Sequence, residues 1–344
     1  MSPAPTRLRE RLAAQLLAGD RAPDALTATR RLLAVQAQDP RGARLALRAR
    51  TVDLTASAVD RALTEERSLV VSWLNRGTLH LVERDDLPWL HALTTPQLET
   101  GNARRLAQEG VPPAAAERGV RAIASALAAE GPLTRDALRE RVRASGVPVA
   151  GQALVHLLLR ATIEGLVVRG PVDGREQRFA LARDWLGPQP AVDRERALAE
   201  LAGRYLAGHG PADERDLARW AGIPLRDARA GLAAIAPRLL ERPDGLVDLA
   251  GRAPTPPLPG PRLLGAFEPL LLGWTSRADV VGAHGSLVTA NGVFRPFALV
   301  AGQARATWRL AGGRVALAGL EPLSVRTTVA LERDAADVVR FLAG

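Results

Sequence analysis

The strongest constraint on the fold is a pattern of helix breaks that occurs twice. Residues 120–182 read VRAIASALAAEGPLTRDALRERVRASGVPVAGQALVHLLLRATIEGLVVRGPVDGREQRFALA. Apolar residues at helical spacing run to about Glu130, and Gly131-Pro132 stops the helix there. Thr134 stands where an N-cap belongs, ahead of a second helix to about Ala144. After the turn Ser-Gly-Val-Pro a third helix is expected over about 149–164. Two short β-like runs, GLVVRG and QRFALA, then flank the loop GPVDGRE. Three helices and a hairpin make a winged helix. Residues 197–250 repeat the scheme with a Gly-Pro break, a Gly-Ile-Pro turn and a shorter wing.

The N-terminal part predicts a third, more divergent copy. Helices are expected at about 6–17, 25–38 and 54–64, followed by a hairpin in SLVVSWLNRGTLHLVERDD with its turn at Asn75-Arg76-Gly77. Helical sequence follows over 85–109. Beyond about 252, the segment GRAPTPPLPGP cannot continue a helix. Short β-like runs come next (RLLGAF, SLVTA, FALVAG, QARATWRLAG and RVALAGL), and a last helix is expected at about 334–343. The expected class is α+β: three tandem winged-helix units and a β-rich C-terminal domain. The expected boundaries are 1–112, 113–188, 189–252 and 253–344.

Charge bears on the partner. All 46 basic residues are arginine, against 37 acidic residues, for a net charge of +9 and a sequence pI of about 11.3. A GC-rich genome accounts for arginine in place of lysine but not for the excess. That excess favours a polyanionic partner, whose phosphates arginine grips bidentately. With no cysteine, disulfides, thiolate metal sites and cysteine nucleophiles are excluded. Neither a charge-free apolar run of about 18 residues nor a signal-peptide core interrupts this reading, so a cytoplasmic protein without membrane association is expected. The five histidines (His80, His91, His156, His209 and His284) are scattered, and no phosphate-binding or dinucleotide motif occurs. No metal or cofactor is expected.

Single positions carry two readings each. Gln36 and Gln38 stand two apart at the end of an apolar run, just before Asp39-Pro40. The bland reading is a solvated helix end. The sharper one is a site: Pro40 disfavours a helical Asp39, so the helix ends near Gln38 and lets two amides converge. His80 reads either as a strand histidine bonded to backbone or as a polar group facing nucleic acid. Arg76 reads as a solvated turn residue or as a wing arginine against a phosphate. Helix 149–164 is mostly apolar, which disfavours base reading by that copy.

The stretches LLAVQAQDPRGARLALRAR, SWLNRGTLHLV and FEPLLLGWTSRADVV, with the later ATWRLAGG, resemble the AlkZ/YcaQ family of winged-helix DNA glycosylases. The resemblance runs through almost the whole chain. Its most specific element is Q-x-Q followed by Asp-Pro, which is similar to the AlkZ-like branch; the YcaQ-like branch carries Q-x-D. The resemblance implies three winged helices in a C-shaped arrangement and excision of alkylated purines, N7-alkylguanine in particular. Some members unhook interstrand crosslinks, and some protect producers of DNA-alkylating natural products. It implies Gln36 and Gln38 as catalytic residues that orient water. Trp73, Arg76, Thr78 and His80 on the first hairpin become DNA contacts. Asn291, in the tight turn Asn291-Gly292, and Arg277 and Arg309 join them, whereas Trp308 is expected in the core. Without lysine no side-chain Schiff base forms, so a monofunctional enzyme is expected. It acts as a monomer on double-stranded DNA carrying alkylated purines. The runners-up are a non-enzymatic winged-helix regulator and a lesion-binding resistance protein.

Overall fold

The computed structural model describes residues 3–174, 176–289 and 291–344; Met1, Ser2, Arg175 of the expected wing loop and Ala290 lie outside the described residues. The chain divides into two units. One joins Met1–Val59 to Leu198–Gly344, and the other is the continuous stretch Asp60–Ala197.

The first unit begins with α1 (Pro3–Ala14), α2 (Ala25–Leu32), β1 (Val35–Gln36) and α3 (Pro40–Arg48). Asp24 caps α2 by accepting the Thr27 N–H at 2.6 Å. The expected helix over 25–38 is therefore too long. It stops at Leu32, because Leu33 takes φ 64°, a backbone region that a branched L side chain enters only under strain. The chain then runs extended through β1. Pro40 begins α3 instead of ending α2. A proline loses nothing at the first helical position, where its N–H would have no partner. Asp39 is the N-cap, and its Oδ1 accepts the N–H groups of Arg41 and Gly42 at 2.9 and 3.2 Å.

Helix α4 (Ala56–Thr64) leads into the second unit, which continues with β2 (Leu69–Leu74), β3 (Thr78–Glu83), α5 (Leu87–Thr94), α6 (Glu99–Gln108), α7 (Pro113–Glu130), α8 (Arg135–Ala144), α9 (Ala153–Ile163), β4 (Val167–Asp173), β5 (Glu176–Leu181) and α10 (Ala182–Leu186). Helices α7 to α9 with β4 and β5 form the winged helix expected there, and Thr134 caps α8 through the Ala137 N–H at 3.1 Å. The two hairpins share one antiparallel sheet in the order β3-β2-β4-β5, joined where Val71 pairs with Arg169. The apolar side of α9 is core: Leu154, Leu157 and Leu158 are buried.

The first unit resumes with α11 (Arg194–His209), α12 (Glu214–Ala221), α13 (Leu225–Ala234), β6 (Leu239–Glu241) and β7 (Val247–Leu249), a winged helix with a short wing. Then come β8 (Arg262–Leu264), α14 (Ala278–Val281), β9 (Phe297–Val300), β10 (Gln303–Ala311), β11 (Arg314–Gly319) and α15 (Val325–Ala343). The four strands form an antiparallel sheet in the order β11-β10-β9-β8. The expected strand SLVTA is absent as a strand. Gly285–Leu287 is a 3-10 turn, and Val288 makes only an isolated bridge to Phe294. The last helix begins earlier than expected, where Ser324 accepts the Thr327 N–H at 3.2 Å.

Close backbone packing and buried charge tie the two stretches of this unit together. A Cβ on Gly208 of α11 would lie 2.2 Å from the Arg31 carbonyl oxygen, so only glycine permits that helix to touch the end of α2. Arg48, on α3, meets Asp334 and Asp337 of α15 at 2.6 and 2.7 Å. Two residues on, Arg50 is fully buried. Its guanidinium donates to the carbonyl oxygens of Gln15 and Ala46 at 2.9 and 2.8 Å, to Gln15 Oε1 at 2.8 Å and to Glu268 Oε1 at 2.5 Å.

Candidate active site and DNA contacts

The Q-x-Q segment lies in the first unit between α2 and α3. Gln36 ends β1 and is only 7% exposed; Ala37 is buried; Gln38 is exposed in the bend before the cap. The two amides therefore belong to a strand end and not to a helix end. A helix terminus is thus not what would bring them together. Asp39 is engaged with two N–H groups of α3 as its cap. The segment is held from both sides: by α2, packed on Gly208, and by α3, where a Cβ on Gly42 would lie 2.4 Å from the Ala266 carbonyl oxygen.

The first hairpin lies in the second unit. Its turn is Asn75-Arg76-Gly77, with Asn75 and Gly77 at positive φ and the Gly77 N–H donating to the Leu74 carbonyl at 3.0 Å. The register pairs Ser72 with His80, Trp73 with Leu79, and Leu74 with Thr78. Paired residues and those two apart share a face. Ser72, Thr78 and His80 are thus on one face, and Trp73 is on the other. There Trp73 stacks on Phe179 with ring centroids 6.2 Å apart and 8% of its surface exposed. Packing thus occupies the Trp73 ring, and strand parity turns it away from His80.

His80 is 3% exposed. Its Nδ1 lies 2.9 Å from the Thr78 carbonyl oxygen, which only accepts, so Nδ1 carries the proton and Nε2 presents a lone pair. Burial first, and the Arg76 charge second, push its pKa down to about 3, against the pull of that carbonyl. At neutral pH His80 is an uncharged acceptor. Arg76 is exposed at the turn, and Thr78 is half-buried.

In the first unit, Asn291 is exposed, and its turn closes through the Gly292 N–H to the Thr289 carbonyl and the Thr289 N–H to the Val293 carbonyl, both at 2.9 Å. Arg277 sits with its guanidinium 5.1 Å from the Phe294 ring centroid, so it joins the base of this loop. Its pKa is lowered by burial and by Arg219. Arg309 is exposed on β10, while the adjacent Trp308 is buried and donates to the Leu264 carbonyl at 2.8 Å.

Three further residues lie inside the stretches that carry the family resemblance but were not singled out as site residues from the sequence. Arg50 and Glu268 fasten the end of α3, and the local signal is an arginine at an apolar helix end. Asn75 is 1% exposed, and both of its side-chain amide atoms are buried without a hydrogen-bond partner; the same holds for Ser72 Oγ and Thr78 Oγ1. Each such atom costs about 1–3 kcal/mol, so the hairpin end is polar at the expense of stability. Among the described residues, no group of three histidine, aspartate or glutamate side chains is placed to hold a metal ion, and no helix is long and apolar enough to cross a membrane.

Comparison with known proteins agrees in sequence and fold. The chain is 28% identical over 362 residues to an interstrand DNA cross-link repair glycosylase of Streptomyces sahachiroi, covering 96% of this chain and 94% of that protein. The solved structure of Streptomyces sahachiroi DNA glycosylase AlkZ matches with a TM-score of 0.80 at 25% identity, over 99% of this chain and 96% of that one. The profile described as DNA glycosylase AlkZ-like matches residues 29–341. Its span takes in the Q-x-Q segment, both hairpins and the C-terminal sheet, and the chain belongs to the AlkZ-like DNA glycosylase family.

Proposed function

We propose that this DNA glycosylase is monofunctional and hydrolyses the N-glycosidic bond of N7-alkylguanine or related cationic purine adducts. Bulky adducts and interstrand crosslinks fall within its range, in line with the cross-link repair glycosylase it is similar to. One observation carries the reading: the candidate set offers no group that delivers a proton at neutral pH. Gln36 and Gln38 do not titrate in this range. His80 is neutral with a pKa of about 3, and Asp39 serves as a helix cap. Such a set suits a base that needs no protonation. N7-alkylation makes the purine cationic, so it departs as a neutral molecule when the C1′–N9 bond breaks and takes the bonding pair with it. Water then adds to the oxocarbenium-like C1′ and releases its proton to solvent.

Gln36 and Gln38 orient that water through a carbonyl acceptor and an amide donor, as a positioning glutamine does in GTPases. Arg76, Thr78, His80, Asn291, Arg277 and Arg309 contact the double-stranded DNA; Trp73 leaves this set. Because the chain has no lysine to form a side-chain Schiff base, the product abasic site is left unnicked. The protein acts as a monomer. The test is release of free base from duplex DNA carrying 7-methylguanine. Gln36→Ala and Gln38→Ala should each slow release by about 10²-fold, the scale of one lost oriented hydrogen-bonding group, with duplex affinity retained. Release that survives the double substitution would sink the site assignment.

A further inference from the structure

The unit formed by Met1–Val59 and Leu198–Gly344 contains a cavity of about 570 Å³, lined by Arg21, Arg30, Arg31, Arg204 and Arg252 with Asp20 as the one carboxylate in the wall. Leu16, Ala22, Ala207 and Leu249 supply apolar surface between them. Backbone carbonyls hold four of these guanidiniums. Arg31 donates to Ala207 at 3.4 Å, Arg204 to Arg30 at 3.1 Å and Arg21 to Thr51 at 3.4 Å. Arg252 donates to the carbonyls of Ala207 and Leu206 and pairs with Asp248. Arg204 also pairs with Glu200 at 3.5 Å. A carbonyl fixes a guanidinium without cancelling its charge, so Arg21 and Arg31 keep the cavity positive.

The adjoining cavity of about 310 Å³, which shares Arg21, is built otherwise. There Arg48 and Arg340 face Asp334 and Asp337 and are neutralised by them. Four arginines face three aspartates in that wall, whereas five face one in the larger cavity. Burial lowers the Arg31 pKa, and the neighbouring Arg252 lowers it further, a like-charge crowding that a bound anion relieves.

We propose that this cavity anchors a backbone phosphate of the DNA strand, apart from the residues assigned to the reaction. The proposal rests on DNA being the substrate but not on base excision. Its test uses the full chain and an undamaged duplex, so it remains readable even if no alkylated base is ever released. The duplex dissociation constant is measured across a salt series for the wild type, for Arg21→Gln with Arg31→Gln, and for Asp20→Asn. The double variant should bind about 3- to 30-fold more weakly, with a slope of log affinity against log salt smaller by about one or two. Asp20 is exposed, and Asp20→Asn should tighten binding by about 2-fold, a gain that misfolding cannot mimic. Unchanged affinity and slope in both variants would overturn the proposal. So would a thermal shift induced by inorganic phosphate that the double variant loses while its DNA affinity stays intact, because the cavity would then serve free phosphate and not the strand.

Discussion

Glu268→Ala tests whether a buried ion pair holds the helix that follows the Q-x-Q segment. The substitution removes an acceptor for Arg50 Nη2, at 2.5 Å, and for the Leu270 N–H, at 3.2 Å. Arg50 keeps its bonds to Gln15 and Ala46, but its charge stays fully buried without a counter-charge. Breaking such a pair from one side costs about 3–5 kcal/mol, and the stranded Leu270 N–H adds about 1 kcal/mol. Against this, Glu268 Oε2 is itself buried without a partner, and alanine removes that defect, worth about 1–2 kcal/mol. The expected net loss is about 3–4 kcal/mol. Glu268→Gln keeps an oxygen for Arg50 and should lose about half as much. Joint replacement of Arg50 and Glu268 by methionine should be more stable than the single variant, because apolar side chains of similar volume leave no buried charge behind, although the Leu270 N–H and the acceptors of Gln15 and Ala46 still lose their partners. Native-state hydrogen exchange on peptides from α3 and α11 reads the first unit separately from the second. A loss below about 1 kcal/mol in Glu268→Ala, or a methionine pair as unstable as that single variant, would refute the argument.

Two further outcomes follow from the hairpin and from the buried histidines. His80 and His209 both have folded pKa values of about 3, against an ordinary value of 6.5, so the unfolded chain binds protons first as pH falls. The stability they contribute is fully present above pH 6.5 and is lost toward pH 3, at up to about 1.4 kcal/mol per pH unit for each histidine; urea midpoints between pH 6.5 and 5 should show that slope, and His80→Asn should abolish its share. Trp73→Leu should destabilise the second unit by about 2–3 kcal/mol through lost packing on Phe179 while leaving the duplex dissociation constant within 2-fold, as measured by fluorescence anisotropy; a 10-fold weaker affinity in a folded variant would return Trp73 to the DNA contacts.

Much of this architecture was legible because local chemistry enforces it. Gly131-Pro132, Thr134 and the Asn75-Arg76-Gly77 turn act within a few residues, and the helices and hairpins around them form where expected. The end of α2 was not legible. Leu33 at positive φ carries no mark in its residue type, since tertiary packing imposes that conformation. Pro40 was ambiguous: the same residue ends one helix or begins the next, and only Asp39 immediately before it, a preferred cap, leans toward the second. The separation of Trp73 from His80 was accessible from strand parity once the register is known. The run SLVTA failed because its residues suit a strand but find only an isolated bridge to pair with.

The first unit is discontinuous in the chain, and this sets an order of assembly during synthesis. Residues 60–197 form a continuous unit that can complete itself as it leaves the ribosome, whereas α3 is made early and its partners late. Arg48 lies 286 residues ahead of Asp334, a delay of roughly 15 to 60 s at ordinary elongation rates. Throughout that interval two arginines destined for burial, and the glutamines beside them, belong to an unfinished domain. A nascent or prematurely ended chain therefore carries the Q-x-Q segment without the late-made elements that α3 packs against in the finished protein.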